Sequence, residues 1–205
     1  MKLKVFNGSE VFFTSDTHFD HEAIIGRCNR PFTCVGEMNA KLIENWNATV
    51  GPGDTVFHLG DFSFSMKGTQ RILHIREYLN GKIHLILGNH DIPKINLATI
   101  RDAFESITEQ QSIMIDGIKI ILNHYPFLCF PGQYNPHMWQ LFGHVHTREN
   151  NTGCDRDRLK YLFPTQYDVG VDNNDYRPVS WAVVKEKIEK QIAEYDKERK
   201  AGKCG

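Results

Sequence analysis

The stretch Ile83-His84-Leu85-Ile86-Leu87-Gly88-Asn89-His90-Asp91 decides the fold. A short, mostly apolar run ending in Gly reads as a strand of a sheet covered on both faces. An amide, an imidazole and a carboxylate follow in consecutive positions, just past the strand's C-terminal end, where α/β folds place their chemistry. Alone, the tetrapeptide is also good turn sequence, because Gly, Asn and Asp favour turns. The flanking chain decides between the two.

Upstream, Thr55 to Leu59 reads as another strand and ends in Gly60-Asp61, with His58 as a core histidine. Residues 11–15 form a strand that ends in Asp16-Thr17-His18-Phe19-Asp20-His21. Asp16 and His18 are two apart, so in extended chain they share a face. Between these strands, Met38, Leu42, Trp46 and Val50 mark an amphipathic helix over 36–50. A second helix over 67–79 turns Ile72, Ile75 and Leu79 inward and is closed by Asn80-Gly81. Strands alternating with helices predict parallel strands with helices packed on the sheet.

Downstream, Ser112–Ile115 and Ile118–Asn123 flank Asp116-Gly117, a hairpin signal, and deliver His124. Trp139–Phe142 leads to Gly143-His144-Val145-His146. The remaining expectations are weaker in pattern. Residues 3–6 pair with 11–15 through a hairpin turn at Asn7-Gly8-Ser9-Glu10. A short helix lies around Leu97–Phe104, and residues 147–160 form a loop. Gln166–Val171 and Val179–Val184 are strands bracketing Asp172-Asn173-Asn174-Asp175, and 185–200 is a charged helix with a thin stripe of Ile188, Ile192 and Tyr195.

At 205 residues the chain is expected to form one domain, residues 1–205, with 185–205 as a C-terminal helix and tail. A net charge of -1 supplies no general attraction to polyanions, so any phosphate site must be local. Five scattered cysteines without a C-x-x-C pair point to reduced thiols. No window approaches the roughly 20 apolar residues of a membrane span, and the N-terminus has no apolar core of signal-peptide length. A cytoplasmic protein is the expectation. Ten histidines are the compositional outlier, and they direct attention to metal or acid–base chemistry.

Five strand exits carry ligand-type residues: Asp16, His18, Asp61, Asn89, His124, His144 and His146. Seven candidates exceed the four ligands of a tetrahedral zinc and suit two metal ions sharing one carboxylate. Imidazole and carboxylate without thiolate favour Mn, Fe, Zn, Ni or Co over Ca or Mg. Two divalent ions, two carboxylates and one hydroxide leave one positive charge, which attracts a phosphate ester. Such a pair can generate hydroxide at neutral pH and clamp the oxygens of an in-line displacement. His90, beside Asn89 and outside the ligand count, is then the expected proton donor to the leaving group, with Asp91 holding and charging its ring. Arg27 and Arg30 are candidates to clamp a substrate phosphate, and His21 is a candidate pocket residue.

At these residues the chain resembles the calcineurin-like metallophosphoesterase superfamily. The ordered blocks D-x-H, G-D, G-N-H-D, H and G-H-x-H stand here as Asp16–His18, Gly60-Asp61, Gly88–Asp91, His124 and Gly143–His146. The resemblance spans roughly residues 11–184. Thr14 to His21, with Arg30-Pro31-Phe32, is similar to the small bacterial and phage members. The resemblance implies a four-layer α/β/β/α sandwich with the site at one end. It implies Asp16, His18, Asp61 and His146 on one metal and Asp61, Asn89, His124 and His144 on the other, with Asp61 bridging. It also implies His90 as general acid supported by Asp91. The expected activity is metal-dependent hydrolysis of a small phosphomono- or phosphodiester by attack of a metal-bridging hydroxide. A nuclease is the alternative, less favoured because the chain carries no long basic run. A non-catalytic interaction module on the same fold ranks below both.

Overall fold

The computed structural model describes residues 3–64, 68–91, 96–147 and 156–201. Lys67, most of the expected 147–160 loop, Cys154 and the tail with Cys204 lie outside the described residues. Two five-stranded sheets face one another. In chain order the elements are β1 (Lys4–Phe6), β2 (Val11–Thr14), α1 (Glu22–Arg27), α2 (Val35–Thr49), β3 (Thr55–His58), α3 (Thr69–Glu77), β4 (Lys82–Ile86), α4 (Leu97–Ile100), β5 (Ser106–Thr108), β6 (Gln110–Ile115), β7 (Ile118–Asn123), β8 (Met138–Phe142), β9 (Gln166–Asp168), β10 (Val179–Ser180) and α5 (Trp181–Lys200). One sheet runs β10-β2-β3-β4-β5 and the other β1-β6-β7-β8-β9.

Strands β2, β3, β4 and β5 are mutually parallel. Their side chains alternate between two cores, as the two-residue period of a strand requires. Val56, Ile83 and Leu85 join the cluster that holds Met38, Leu42 and Trp46 of α2 with Ile72 and Ile75 of α3. Phe13, Phe57 and Ile86 join the other cluster, with Ile113, Ile120, Leu122, Trp139 and Leu141 of the facing sheet. This double burial explains the near-continuous apolar strands of the sequence. The chain is thus a mixed α/β sandwich with two parallel-rich sheets and helices outside, as the resemblance implies.

Three local expectations change. Residues 4–6 and 11–14 do not form a hairpin. A 3₁₀ turn at Gly8–Glu10 sends β1 to pair parallel with β6 in one sheet and β2 to pair with β3 in the other. Asn7 caps that turn by accepting from Ser9 N, so the Asn-Gly pair serves a helix-type turn rather than a hairpin turn. At the C-terminal end, the strand read over 179–184 is two residues long, and α5 begins at Trp181. Ser180 caps it through Val183 N, and Trp181, Val184 and Ile188 form a buried helical stripe within the inter-sheet cluster. A short α1 fills part of the stretch between His21 and Cys34, which carried no clear periodicity. The Asp116-Gly117 hairpin is present, with both residues at positive φ as a tight turn requires. Cys28, Cys34 and Cys129 are free thiols.

Candidate metal centre

The exits of β2, β3, β4, β7 and β8 converge at one end of the two sheets. The chain after β2 runs beside the chain after β3: Asp16 N donates to Gly60 O, His18 N to Asp61 O and Phe19 N to Phe62 O. This pairing continues the sheet past its regular strands and places Asp16, His18 and Asp61 together. Asp16, His18, Asp61, His144 and His146 all have positive φ, between 47° and 72°. Each such left-handed residue costs of the order of 1–3 kcal/mol outside glycine, and five of them in one place turn side chains inward that an extended chain would splay apart.

Two glycines permit the close approach. A Cβ on Gly60, whose φ is +94°, would stand 2.6 Å from Gly88 N and 2.7 Å from His124 Nδ1. A Cβ on Gly143 would collide with Ser15 Oγ and Asp16 Oδ2. The glycines that precede Asp61 and His144 are therefore required by packing between strand exits, and at Gly60 by its positive φ as well.

Distances inside the cluster fit a shared ion better than hydrogen bonds. His18 Nε2 lies 3.5 Å from Asp61 Oδ2 and 4.0 Å from Asp16 Oδ1. His146 Nε2 lies 3.9 Å from Asp16 Oδ1, and His124 Nε2 lies 3.6 Å from Asp61 Oδ2. Ligand atoms each about 2.1 Å from one ion stand about 3–4 Å from each other. Asp16 Oδ1 and His18 Nε2 are buried and have no hydrogen-bond partner. Of the four groups of close ligand-type atoms among the described residues, two are Asp16 with His18 and His146, and Asp61 with His124 and His144. Asn89 Oδ1 adds a neutral oxygen 3.1 Å from His124 Nε2. Burial and the Asp16 carboxylate push the Asp61 carboxyl up to about 8, which marks a site short of positive charge.

The surroundings hold the imidazoles of His18, His124 and His146 by Nδ1, leaving Nε2 toward the cluster. His124 Nδ1 donates to Leu59 O at 2.7 Å. His146 Nδ1 lies 2.6 Å from Asp172 Oδ2. His18 Nδ1 meets His21 Nδ1 at 3.1 Å. A fixed outer contact on each of these three rings leaves the other nitrogen able to ligate a metal. Burial works against charge on His146, but the Asp16 and Asp172 carboxylates raise it well above the ordinary imidazole value. Burial lowers His18 and His124, which stay neutral.

His90 sits at the edge of the cluster. Its side chain is 28% exposed, its Nε2 is 3.9 Å from Asp61 Oδ2, and its backbone N donates to Asp61 Oδ1 at 2.8 Å. Geometrically it also groups with His18 and Asp61, a proximity its place outside the sequence-based ligand count did not suggest. Asp91 has a structural part at the strand exits. Both of its carboxylate oxygens accept backbone N–H groups, from Gly88 and Asp61 on one oxygen and from Phe62 on the other. It ties the β3 exit to the β4 exit.

Arg30 is reassigned. It is buried, pairs in bidentate fashion with Asp172 at 2.9 and 2.7 Å, and donates to the Asp16 and Thr17 carbonyls. Its guanidinium is committed to the protein and does not face substrate. Arg27 is exposed in the last turn of α1, with no side-chain hydrogen bond or ion pair among the described residues. His21 is buried against His18, with its ring stacked on Phe64 at a centroid distance of 3.9 Å. Its Nδ1 meets His18 Nδ1, and its ring centroid lies 5.7 Å from that of His90. His58 is a core residue, as expected, with Nε2 at 2.9 Å from Thr17 Oγ1 and burial lowering it to about 3.

The residue that sequence reasoning passed over is Asp172. Burial favours its neutral form, but Arg30 and His146 overcome this and hold it below the ordinary carboxylate value. Its signal was available: it follows the apolar run after β9, the same kind of strand exit that marked the other ligands. Cys28, also unassigned, is buried beside His146 and Asp172.

The chain matches the calcineurin-like phosphoesterase superfamily domain over residues 10–162 and belongs to that superfamily. It is 33% identical to the uncharacterized protein MJ1445 of Methanocaldococcus jannaschii, covering 88% of this chain and 92% of that one. It is 30% identical to the Gene 66 protein of Mycobacterium phage L5, over 68% of this chain and 78% of the phage protein. Among solved structures it is similar to a protein of unknown function, AQ665, from Aquifex aeolicus, with 27% identity, a TM-score of 0.64, and coverage of 86% and 97% of the two chains. No helix among the described residues is long and apolar enough to cross a membrane.

Proposed function

We propose that the protein is a phosphoesterase that uses two divalent transition-metal ions, Mn, Fe, Zn or Ni, to hydrolyse a small phosphomono- or phosphodiester. The observation that carries this reading is the paired cluster, with two buried carboxylates, unpartnered Asp16 Oδ1 and His18 Nε2, and imidazoles turned Nε2-inward. Asp16, His18 and His146 would hold one ion, and Asn89, His124 and His144 the other, with Asp61 between them. Ions held there would make water a nucleophile at neutral pH and neutralise charge developing on the phosphate. His90, partly exposed and anchored by its backbone to Asp61, would keep a proton at Nε2 and deliver it to the leaving oxygen. Asp91 keeps that anchor in place through the β3 and β4 exits.

The test is hydrolysis of bis-p-nitrophenyl phosphate and p-nitrophenyl phosphate by metal-stripped protein, with Mn, Ni, Zn, Fe and Mg restored in turn. Turnover that depends on metal, and that Asp61→Ala and His90→Ala lose, is the expected result. Full turnover in His90→Ala would remove that residue from proton transfer. No turnover with any ion, despite two bound per chain, would point to a binding role instead.

A further inference from the structure

Beside His144 the surface opens into a cavity of about 530 Å³, within the roughly 300–1,000 Å³ of small-molecule sites. Its walls include Tyr125, Phe127, Leu128, Leu159 and Tyr161 together with His144 itself. Among the described residues no lysine, arginine or carboxylate lines it. Tyr125 is the shared wall. Its ring stands edge-on to both His124 and His144, at centroid distances of 4.9 and 4.8 Å.

Of the eight large apolar side chains exposed among the described residues, three belong to this one cavity: Leu128 at 70%, Tyr161 at 59% and Tyr125 at 41%. Apolar side chains concentrated in water beside a polar site mark a binding surface. Apart from His144 the described walls are apolar or aromatic, with Lys160 Nζ 5.1 Å from the Tyr161 ring centroid, so the cavity suits an uncharged group better than a phosphate. An uncharged ring or compact apolar group can occupy it, while its phosphate lies within reach of the metal-binding residues next door.

We infer that this cavity selects the substrate. It takes a phosphoester or phosphodiester that carries an aromatic or compact apolar group on one ester arm, and it discriminates against small alkyl phosphates. The inference rests on the hydrolytic reading above for the place of the phosphate, but the recognition it describes belongs to Tyr125, Leu128 and Tyr161.

Calorimetric titration of the Mn-loaded protein with phenylphosphonate and methylphosphonate tests it without turnover. Burial of a phenyl ring predicts that phenylphosphonate binds at least about tenfold more tightly. The double variant Leu128→Ser/Tyr161→Ser, both exposed and outside the metal cluster, should reduce that preference to less than about threefold while leaving methylphosphonate binding unchanged. Equal affinity for the two phosphonates in the unaltered protein, or a preference that survives the double variant, overturns the inference. If that occurs while metal-dependent diester hydrolysis persists, the hydrolytic reading stands and only the cavity's role falls. If neither phosphonate binds and no ester is hydrolysed, both fall. A double variant that shifts a dimer to a monomer in sedimentation, with the phosphonate preference intact, would assign the surface to a second copy of the chain.

Discussion

Around Asp16, His18 and His146 the supporting groups include the buried side chains of Asp172, Arg30 and His21, with the His144 N–H on Asp16 Oδ2. Around Asp61, His124 and His144 they are the Leu59 carbonyl, backbone amides and the edge of the Tyr125 ring. The first half is set by a buried ion pair whose members cannot change singly. The second half is set largely by main chain, which is indifferent to side-chain identity, and it borders the apolar cavity. The half that borders the cavity is thus the one held by main chain at Asp61 and His124.

The largest effect should come from Asp61, which stands between the halves. Asp61→Asn is expected to reduce phosphoester turnover by about three orders of magnitude or more, with loss of metal from both halves on elemental analysis. Retention of two ions per chain would show that the halves are independent. Next comes the bracing of the first half. Arg30→Met leaves the Asp172 carboxylate buried without its cation, and breaking a buried pair costs about 3–5 kcal/mol. Urea unfolding should show that loss, while KM for small esters stays unchanged. A raised KM with unaltered stability would restore Arg30 to substrate binding. His21→Ala should weaken one of the two ions by about tenfold or more, the usual cost of removing an outer-shell partner, in a two-site metal titration. Equal weakening of both sites would break the comparison.

The smallest effect is the pH dependence of the metal-free protein. Folded Asp61 titrates at about 8, against an ordinary value of 3.8, so the folded state keeps a proton that the unfolded chain has lost. Its stabilisation is complete below 3.8 and disappears as pH rises through about 8. His146, raised well above 6.5, acts in the same direction from 6.5 upward. His18, His58 and His124 are lowered and act oppositely, but only below 6.5. From pH 6.5 to 8 the metal-free Tm should therefore fall, and added Mn should raise Tm more at pH 8 than at pH 6.5. A Tm that rises over that interval would contradict the charge imbalance around Asp61.

The parallel strands and the strand exits were legible because burial on both faces writes itself as apolar runs, and each run stops where polar ligands begin. Ile83 to Leu87 ahead of Gly88, and Thr55 to Leu59 ahead of Gly60, carry that signal within a few residues. Short elements did not. The two-residue β10 and the six-residue α1 have too little length for a period to show, and at Ser180 one capping hydroxyl outweighed the strand propensity of Val179, Val183 and Val184. The pairing of β1 with β6, across more than a hundred residues, has no local trace.

By itself the sequence determined the candidate ligand types, their order and their places at strand exits, because these depend on residue chemistry and local periodicity. Only the tertiary structure decided which polar residues face the cluster and which hold it together. Arg30 was drawn to Asp172 and Asp91 to three backbone amides, because a buried charge must find a partner and the partner lies far away in sequence. The apolar cavity beside His144 likewise exists only where Tyr125 and Tyr161 meet in space.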